Sequence, residues 1–259
     1  MPHFAANLSL LFTEAELIDR FGLARRHGFG AVEIQFPYSL SAETLCRALT
    51  EQNQRLVLFN VAADDLLQGG EGLACVPEKQ DRFRQAVAQA VAYASLLKPV
   101  AINILPGCCF DADRKPEYLE TFKQNLRFAA DTFAPLGIKT VFEAINTHDM
   151  PGFIIHSGAQ MLAVLDELRH PGLYLQYDIY HMRRMGENAA DFISRHAGKI
   201  GHIQFADCPG RGQPGTGGIN FAKVFAAIGQ SAYSGWVGAE YKPQGATAES
   251  LAWFRTIKR

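Results

Sequence analysis

The sequence lacks the marks of several large protein classes. Its 25 Lys and Arg offset 26 Asp and Glu, which leaves a formal net charge of −1. The basic excess of a general nucleic-acid or membrane-surface binder is therefore missing, although a local basic patch is compatible with the total. No CxxC pair occurs. The five cysteines are Cys46, Cys75, Cys108, Cys109 and Cys208. Their number is odd, and adjacent Cys108 and Cys109 have poor geometry for bridging each other. Reduced thiols acting as small core hydrophobes in a cytoplasmic protein are the expectation. The opening MPHFAANLSL has no basic segment ahead of a long apolar run, and no apolar stretch is long enough to cross a bilayer, so neither a signal peptide nor membrane association is expected. There is no low-complexity segment, no linker and no break in composition. One domain over residues 1–259 is expected.

What is present is one theme repeated along the chain: a short apolar run, a turn, then an amphipathic segment. Runs at 4–10, 31–36, 55–62, 100–106, 139–146, 173–181, 200–207 and 236–242 are rich in Val, Ile, Phe and Tyr and read as strands. Helical spacing fills 13–27, 41–52, 79–97, 116–133, 157–170, 188–197, 221–228 and 246–256. The first of these opens with TEAE, which resembles a capping box, and His27-Gly28 and His170-Pro171-Gly172 look like helix stops. Strands alternating with helices imply a parallel sheet. A doubly wound open sheet is the main rival. The count of eight, and the absence of a glycine-rich phosphate loop after the first strand, favour a closed (β/α)8 barrel.

A (β/α)8 barrel builds its site at the C-terminal ends of its strands. The fifth run, KTVFEAIN, there presents Glu143. The sixth, LYLQYDIYH, presents Asp178 and His181. The seventh, HIQFAD, presents Gln204 and Asp207, and the eighth, WVGAEYK, presents Glu240 and Lys242. A carboxylate in an apolar strand is costly unless it is paired or bound to a cation. One such residue reads as a structural ion pair; four successive strands each offering an oxygen are harder to explain in that way. Glu143, Asp178, Gln204 and Glu240 supply the oxygen ligands that a hard divalent cation prefers, Mg²⁺ first and Mn²⁺ next. Two opposed glutamates also suit moving a proton between adjacent carbons, one abstracting it beside a carbonyl and the other returning it.

The segments FAANLSLLF, EAINTHDMPGF, LQYDIYHMRRM, ADCPGRGQPGTGGINF and GWVGAEYKP resemble those of the hydroxypyruvate isomerase family, within the xylose-isomerase-like barrels. The resemblance runs over essentially the whole chain. It implies acid/base roles for Glu143 and Glu240, and a divalent metal at Glu143, Asp178, Gln204 and Glu240. The wider group often has His where this chain has Gln204; an amide oxygen is harder than imidazole, which tilts the expected metal toward Mg²⁺. The implied substrate is a small hydroxy-keto acid such as hydroxypyruvate. A sister branch comprises the 2-oxo-tetronate isomerases, which MPHFAANLSLLFTE and ADTFAPLG resemble, whereas NTHDMPGF, YDIYHM and GRGQPGTG are nearer the hydroxypyruvate branch.

Other residues carry two readings each. His181 is a loop histidine bonded to backbone or a donor toward the substrate oxyanion. Arg211 and Lys242 are substrate-carboxylate ligands or solvated charges, Lys242 sharing a strand face with Glu240 two residues earlier. Asn7 and Asn60 bind substrate hydroxyls or cap strand ends. His148 and Asp149 either support Glu143 or simply belong to the loop, and Glu71 and Arg183 are weaker candidates. His27, His156, His170, His196 and His202 are expected to be structural. Gly212, Gly215, Gly217 and Gly218 form a glycine-rich loop without a following Lys-Ser/Thr. It reads as a mobile active-site loop and not as a nucleotide cradle, so no nucleotide cofactor is expected. Rival functions are a keto-sugar 3-epimerase, a metal-dependent AP-endonuclease-like DNA-repair barrel and a binding-only barrel. The near-neutral charge and the lack of further histidines at strand ends argue against the DNA-repair enzyme. The expected partners are a small-molecule acid and, as many barrels of this group pair, a second copy of the chain; nucleic acid and membrane are not expected.

Overall fold

The computed structural model describes residues 2–257, so positions 1, 258 and 259 of the expected domain lie outside the described residues. Eight parallel strands close into a barrel in sequence order. They are β1 (His3–Asn7), β2 (Ala31–Glu33), β3 (Arg55–Asn60), β4 (Ala101–Ile104), β5 (Lys139–Glu143), β6 (Leu173–Asp178), β7 (Ile200–Phe205) and β8 (Trp236–Ala239). The helices are α1 (Leu17–Arg26), α2 (Ala42–Glu51), α3 (Gln80–Leu97), α4 (Lys115–Phe133), α5 (Gly158–Leu168), α6 (Ile179–Arg184), α7 (Ala189–His196), α8 (Phe221–Gln230), α9 (Thr247–Ser250) and α10 (Ala252–Ile257). Among the described residues no helix is long and apolar enough to cross a membrane.

Two-residue alternation along the strands sorts side chains between the barrel interior and the helix layer. On β5, Phe142 joins the large core shared with the helices, while Val141 joins a small interior cluster with Ala5, Ala31, Val57, Leu58 and Ala101. Glu143, two residues beyond Val141, therefore projects inward above that apolar floor. On β6, Leu175 and Tyr177 pack outward, leaving Gln176 and Asp178 inside. On β7, Ile203 and Phe205 pack outward, leaving His202 and Gln204 inside. The small residue Gly238 on β8 makes room for a carboxylate, since a Cβ there would collide with Glu33.

The strands end earlier than the sequence suggests, and at β1 and β6 the early stop has a local cause. β1 stops at Asn7, where Leu10 and Leu11 turn back onto the Asn7 carbonyl and Ser9 N–H bonds the Asn7 side chain. The run at 173–181 ends at Asp178 because that carboxylate caps a helix, accepting the His181 backbone N–H at 3.0 Å. His181 thus sits in α6, a helix the apolar run concealed. The TEAE opening caps nothing: α1 begins at Leu17 without a side-chain cap, and Glu14 instead accepts hydrogen bonds from Thr247 N and Oγ1. The expected helix over 246–256 is broken at Leu251 into α9 and α10.

Candidate functional site

Above the apolar floor the barrel interior is polar. Asn7, Glu33, Asn103, Glu143, Gln176, Asp178, His202, Gln204 and Glu240 are all buried. A cavity of about 180 Å³ opens over them, lined on its polar side by Gln35, Asn60, Glu143, Gln176, His181, Arg211 and Glu240, and on its apolar side by residues that include Leu105, Ile145 and Met150. Another cavity, of about 210 Å³, is lined by Arg183, Glu187, Asn188 and Lys223 among others; it has a single carboxylate, so acid/base chemistry points to the smaller one.

The two glutamates have different partners. Glu240 Oε1 accepts from Asn7 Nδ2 (3.0 Å), Gln35 Nε2 (2.9 Å) and Gln204 Nε2 (3.3 Å), and its Oε2 from Arg211 Nη2 (2.7 Å). Glu143 has amide partners alone among its hydrogen bonds: Gln176 Nε2 at 2.8 Å and Asn103 Nδ2 at 3.3 Å. Burial lifts Glu240 to about 7; the charges of Asp178 and Glu33 push the same way and Arg211 opposes them. Burial pushes Glu143 well above the usual carboxylate range, and the negative charges of Glu240 and Asp178 add to it. Environments that separate two carboxylates in this way suit one as acid and the other as base.

His181 is a neutral imidazole of defined tautomer. Asn146 Oδ1 accepts the backbone N–H groups of His148 and Asp149, which turns its Nδ2 toward Asp149 and toward His181 Nδ1 at 2.7 Å. The imidazole must accept at Nδ1, so Nε2 carries the proton. Burial holds the ring near a pKa of about 4. Asp149, which lines the same cavity, also accepts from Tyr180 Oη at 2.6 Å.

The four residues expected to hold a divalent cation, Glu143, Asp178, Gln204 and Glu240, all hold hydrogen bonds to protein partners here. Gln204 must offer its Nε2 to two carboxylates, Glu33 at 2.7 Å and Glu240 at 3.3 Å. Its oxygen is consequently turned to Gln176 Nε2, 2.7 Å away. Both Glu240 oxygens already hold donors, and among the described residues no three His, Cys, Asp or Glu side chains form a group that could hold a metal ion. Among the described residues the cation paired with these carboxylates is the Arg211 guanidinium, on Glu240.

Of the residues anticipated from the sequence, Glu143, Glu240, His181, Arg211, Asn60 and Asp149 line one cavity. Asp178 and Gln204 are buried with them, one capping α6 and the other bridging Glu33 to Gln176. Asn7 lies outside the cavity lining: its Nδ2 bonds Glu33 and Glu240, and its oxygen takes Ser9 N–H. Lys242 is exposed and outside the cavity lining, because β8 ends at Ala239 and strand alternation does not carry past it. The segment holding the glycine-rich loop is tied to Asp207, whose carboxylate accepts four of its backbone N–H groups. Glu33, Gln35, Asn103, Asn146 and Gln176 went unnoticed in the sequence. Glu33 interrupts the apolar run AVEIQF as Glu143 interrupts its own, so the same signal was available. His202, read as structural, is the buried partner of Glu33, with Nε2 to Oε2 at 2.6 Å.

Residues 21–257 match the sequence profile described as the xylose isomerase-like TIM barrel. The chain is 41% identical over 253 residues to the hydroxypyruvate isomerase of Escherichia coli K12, with 98% of each chain covered. It is 37% identical over 253 residues to the 2-oxo-tetronate isomerase of Pectobacterium atrosepticum, covering 98% of this chain and 97% of that one. A solved structure titled AP endonuclease, family 2, from Brucella melitensis superposes with a TM-score of 0.95 at 36% identity, over 99% of both chains. The E. coli 3-keto-D-glucoside 4-epimerase, at 19% identity and a TM-score of 0.81, shares the fold.

Proposed function

This chain belongs to the xylose isomerase-like TIM barrel family, and from that membership and the glutamate pair we propose that it isomerises a small hydroxy-keto acid. The substrate we propose is hydroxypyruvate, converted to 2-hydroxy-3-oxopropanoate. The observation that carries the reading is the pair of buried carboxylates held in unlike environments over one cavity. The relatives' names support the reaction class. The cavity, at about 180 Å³, is smaller than the ~300 Å³ lower end of drug-sized ligand pockets, which favours a three- or four-carbon acid over a keto-hexose.

In this reading Glu240, paired with Arg211, is the base, and Glu143, whose hydrogen-bond partners are amides, is the acid. Ionised Glu240 removes a proton from C3 of hydroxypyruvate, and the C–H electron pair forms the C2=C3 bond of an enediolate. The charge falls on O2, where the Nε2–H of neutral His181 donates to it. Protonated Glu143 gives its proton to C2 and recovers one from the O3 hydroxyl as the aldehyde forms. Glu240 then passes its proton to O2, which restores both side chains. Arg211 lines the cavity beside Glu240, and in this reading its guanidinium binds the substrate carboxylate. No step passes through a metal ion.

The 2-oxo-tetronates form the second reading, carried by the 37% identical relative of that name. Incubating the purified protein separately with hydroxypyruvate and with 2-oxo-tetronates, and identifying the products by NMR, tests both. An aldehyde product from hydroxypyruvate supports the first reading, turnover confined to the four-carbon acids supports the second, and a product with its carbonyl unmoved makes the enzyme an epimerase.

A further inference from the structure

The segment 208–219 that carries Arg211 is built around one side chain. Asp207 is 1% exposed, and its carboxylate accepts four backbone N–H groups. Oδ1 takes Cys208 at 2.9 Å and Ile219 at 3.0 Å; Oδ2 takes Gly215 at 2.9 Å and Gly217 at 2.8 Å. The Asp207 backbone N–H in turn donates to the Gly212 carbonyl at 2.8 Å, and Gly218 N–H closes onto the Cys208 carbonyl at 2.8 Å. The chain passes so near the carboxylate that a Cβ at Gly217 would collide with the Cys208 carbonyl and with Asp207. Four donors need two acceptor oxygens, which a carboxylate provides and an amide does not.

At the apex of this loop Arg211 has φ of +55°, a region that glycine occupies at less cost than a side-chain-bearing residue. Strain of this kind persists where the surroundings over-determine it. Here Lys242 N–H holds the Arg211 carbonyl at 2.7 Å, tying the apex to the exit of β8, and Gln213 Oε1 accepts Gln244 N–H at 2.9 Å. The guanidinium that results lies over the Tyr180 ring at 5.3 Å, on Glu240.

We infer that Asp207 is a positioning residue for the reaction: it fixes the fold of the 208–219 loop and so places the Arg211 guanidinium on Glu240 and in the cavity. The inference rests on the proposed role of Arg211 in holding substrate and Glu240. Asp207 touches neither glutamate, so its effect on turnover must pass through Arg211. A merely structural residue would act on the reaction regardless of what stands at position 211.

A double-mutant cycle on the full chain, with hydroxypyruvate as the probe substrate, separates the two. Asp207→Asn should lower kcat/KM by about tenfold or more, mainly through KM, and in the Arg211→Met background it should add no more than about twofold. Backbone hydrogen exchange should quicken at Gly215, Gly217 and Ile219 in Asp207→Asn while the β strands keep their protection. Gly217→Ala, which spreads the loop without removing the carboxylate, should follow the same pattern and serves if Asp207→Asn does not fold. If the Asp207→Asn loss persists in full beside Arg211→Met, or if Asp207→Asn and Gly217→Ala both turn over like the unaltered chain, the positioning role is overturned while Arg211 keeps its own. If Arg211→Met is itself unimpaired, the reading of Arg211 fails and the inference falls with it.

Discussion

Arg211 Nη2 stands 2.7 Å from Glu240 Oε2, while no cation forms an ion pair with Glu143 among the described residues. That asymmetry divides the work of two otherwise similar buried carboxylates. Both should be indispensable. Glu143→Gln and Glu240→Gln should each lower kcat by about 10²-fold or more, the usual scale for losing a positioned acid or base. Because the exchange preserves volume, circular dichroism and thermal melting should show folded proteins. Near-normal turnover in either variant would remove that glutamate from the chemistry.

The pH dependence follows from the direction of the shifts. With Glu240 raised from 4.5 to about 7, its protonated form persists through mildly acidic solution, and the ionised base accumulates only as pH climbs through about 7. Glu143 is also pushed upward, by burial first and by the charges of Glu240 and Asp178, a direction that favours its protonated form. The rate profile should therefore rise with pH to a limb near 7. A limb at about 4.3, the ordinary glutamate value, would mean that neither carboxylate is perturbed in the working enzyme.

Substrate anchoring distinguishes two cations that the sequence makes look alike. Arg211→Met should raise KM strongly, the signature of a lost ground-state contact. Lys242→Met should leave KM close to that of the unaltered chain, since the Lys242 side chain is exposed and does not line the cavity. A large KM increase for Lys242→Met would show that the loop closes further over substrate than this arrangement does.

Metal removal tests the reading of Gln204. With its oxygen turned to Gln176 and its Nε2 on two carboxylates, exhaustive chelation should leave most of the activity, and added Mg²⁺ or Mn²⁺ should not raise it. Activity that vanishes on chelation and returns with Mg²⁺ would mean that the Gln204 amide reverses and the four oxygen ligands assemble.

The barrel was legible in the sequence because eight apolar runs alternate with helical spacing, and the ends of β5 and β8 were legible because a glutamate interrupts each apolar pattern. What the sequence concealed was pairing across the barrel. Glu33 and His202 are 169 positions apart, and one buries the other. Asn146 is an ordinary loop residue until its side chain is seen setting the tautomer of His181. Residues 179–181 look like strand because Ile, Tyr and His suit a strand, yet the Asp178 side chain caps a helix there. Lys242 misled for the converse reason, as strand alternation was extended three residues past the end of β8.

The central claim is proton transfer between adjacent carbons by a glutamate pair, and isomerisation in D₂O tests it most directly. In the two-glutamate route the hydrogen that reaches C2 comes from Glu143, whose carboxyl proton exchanges with solvent, and not from C3. Hydroxypyruvate turned over in D₂O should therefore yield 2-hydroxy-3-oxopropanoate carrying solvent deuterium at C2, and Glu143→Gln should abolish that labelling along with turnover. Product formed at full rate with no deuterium at C2 would contradict the account and point to direct hydrogen migration between the carbons.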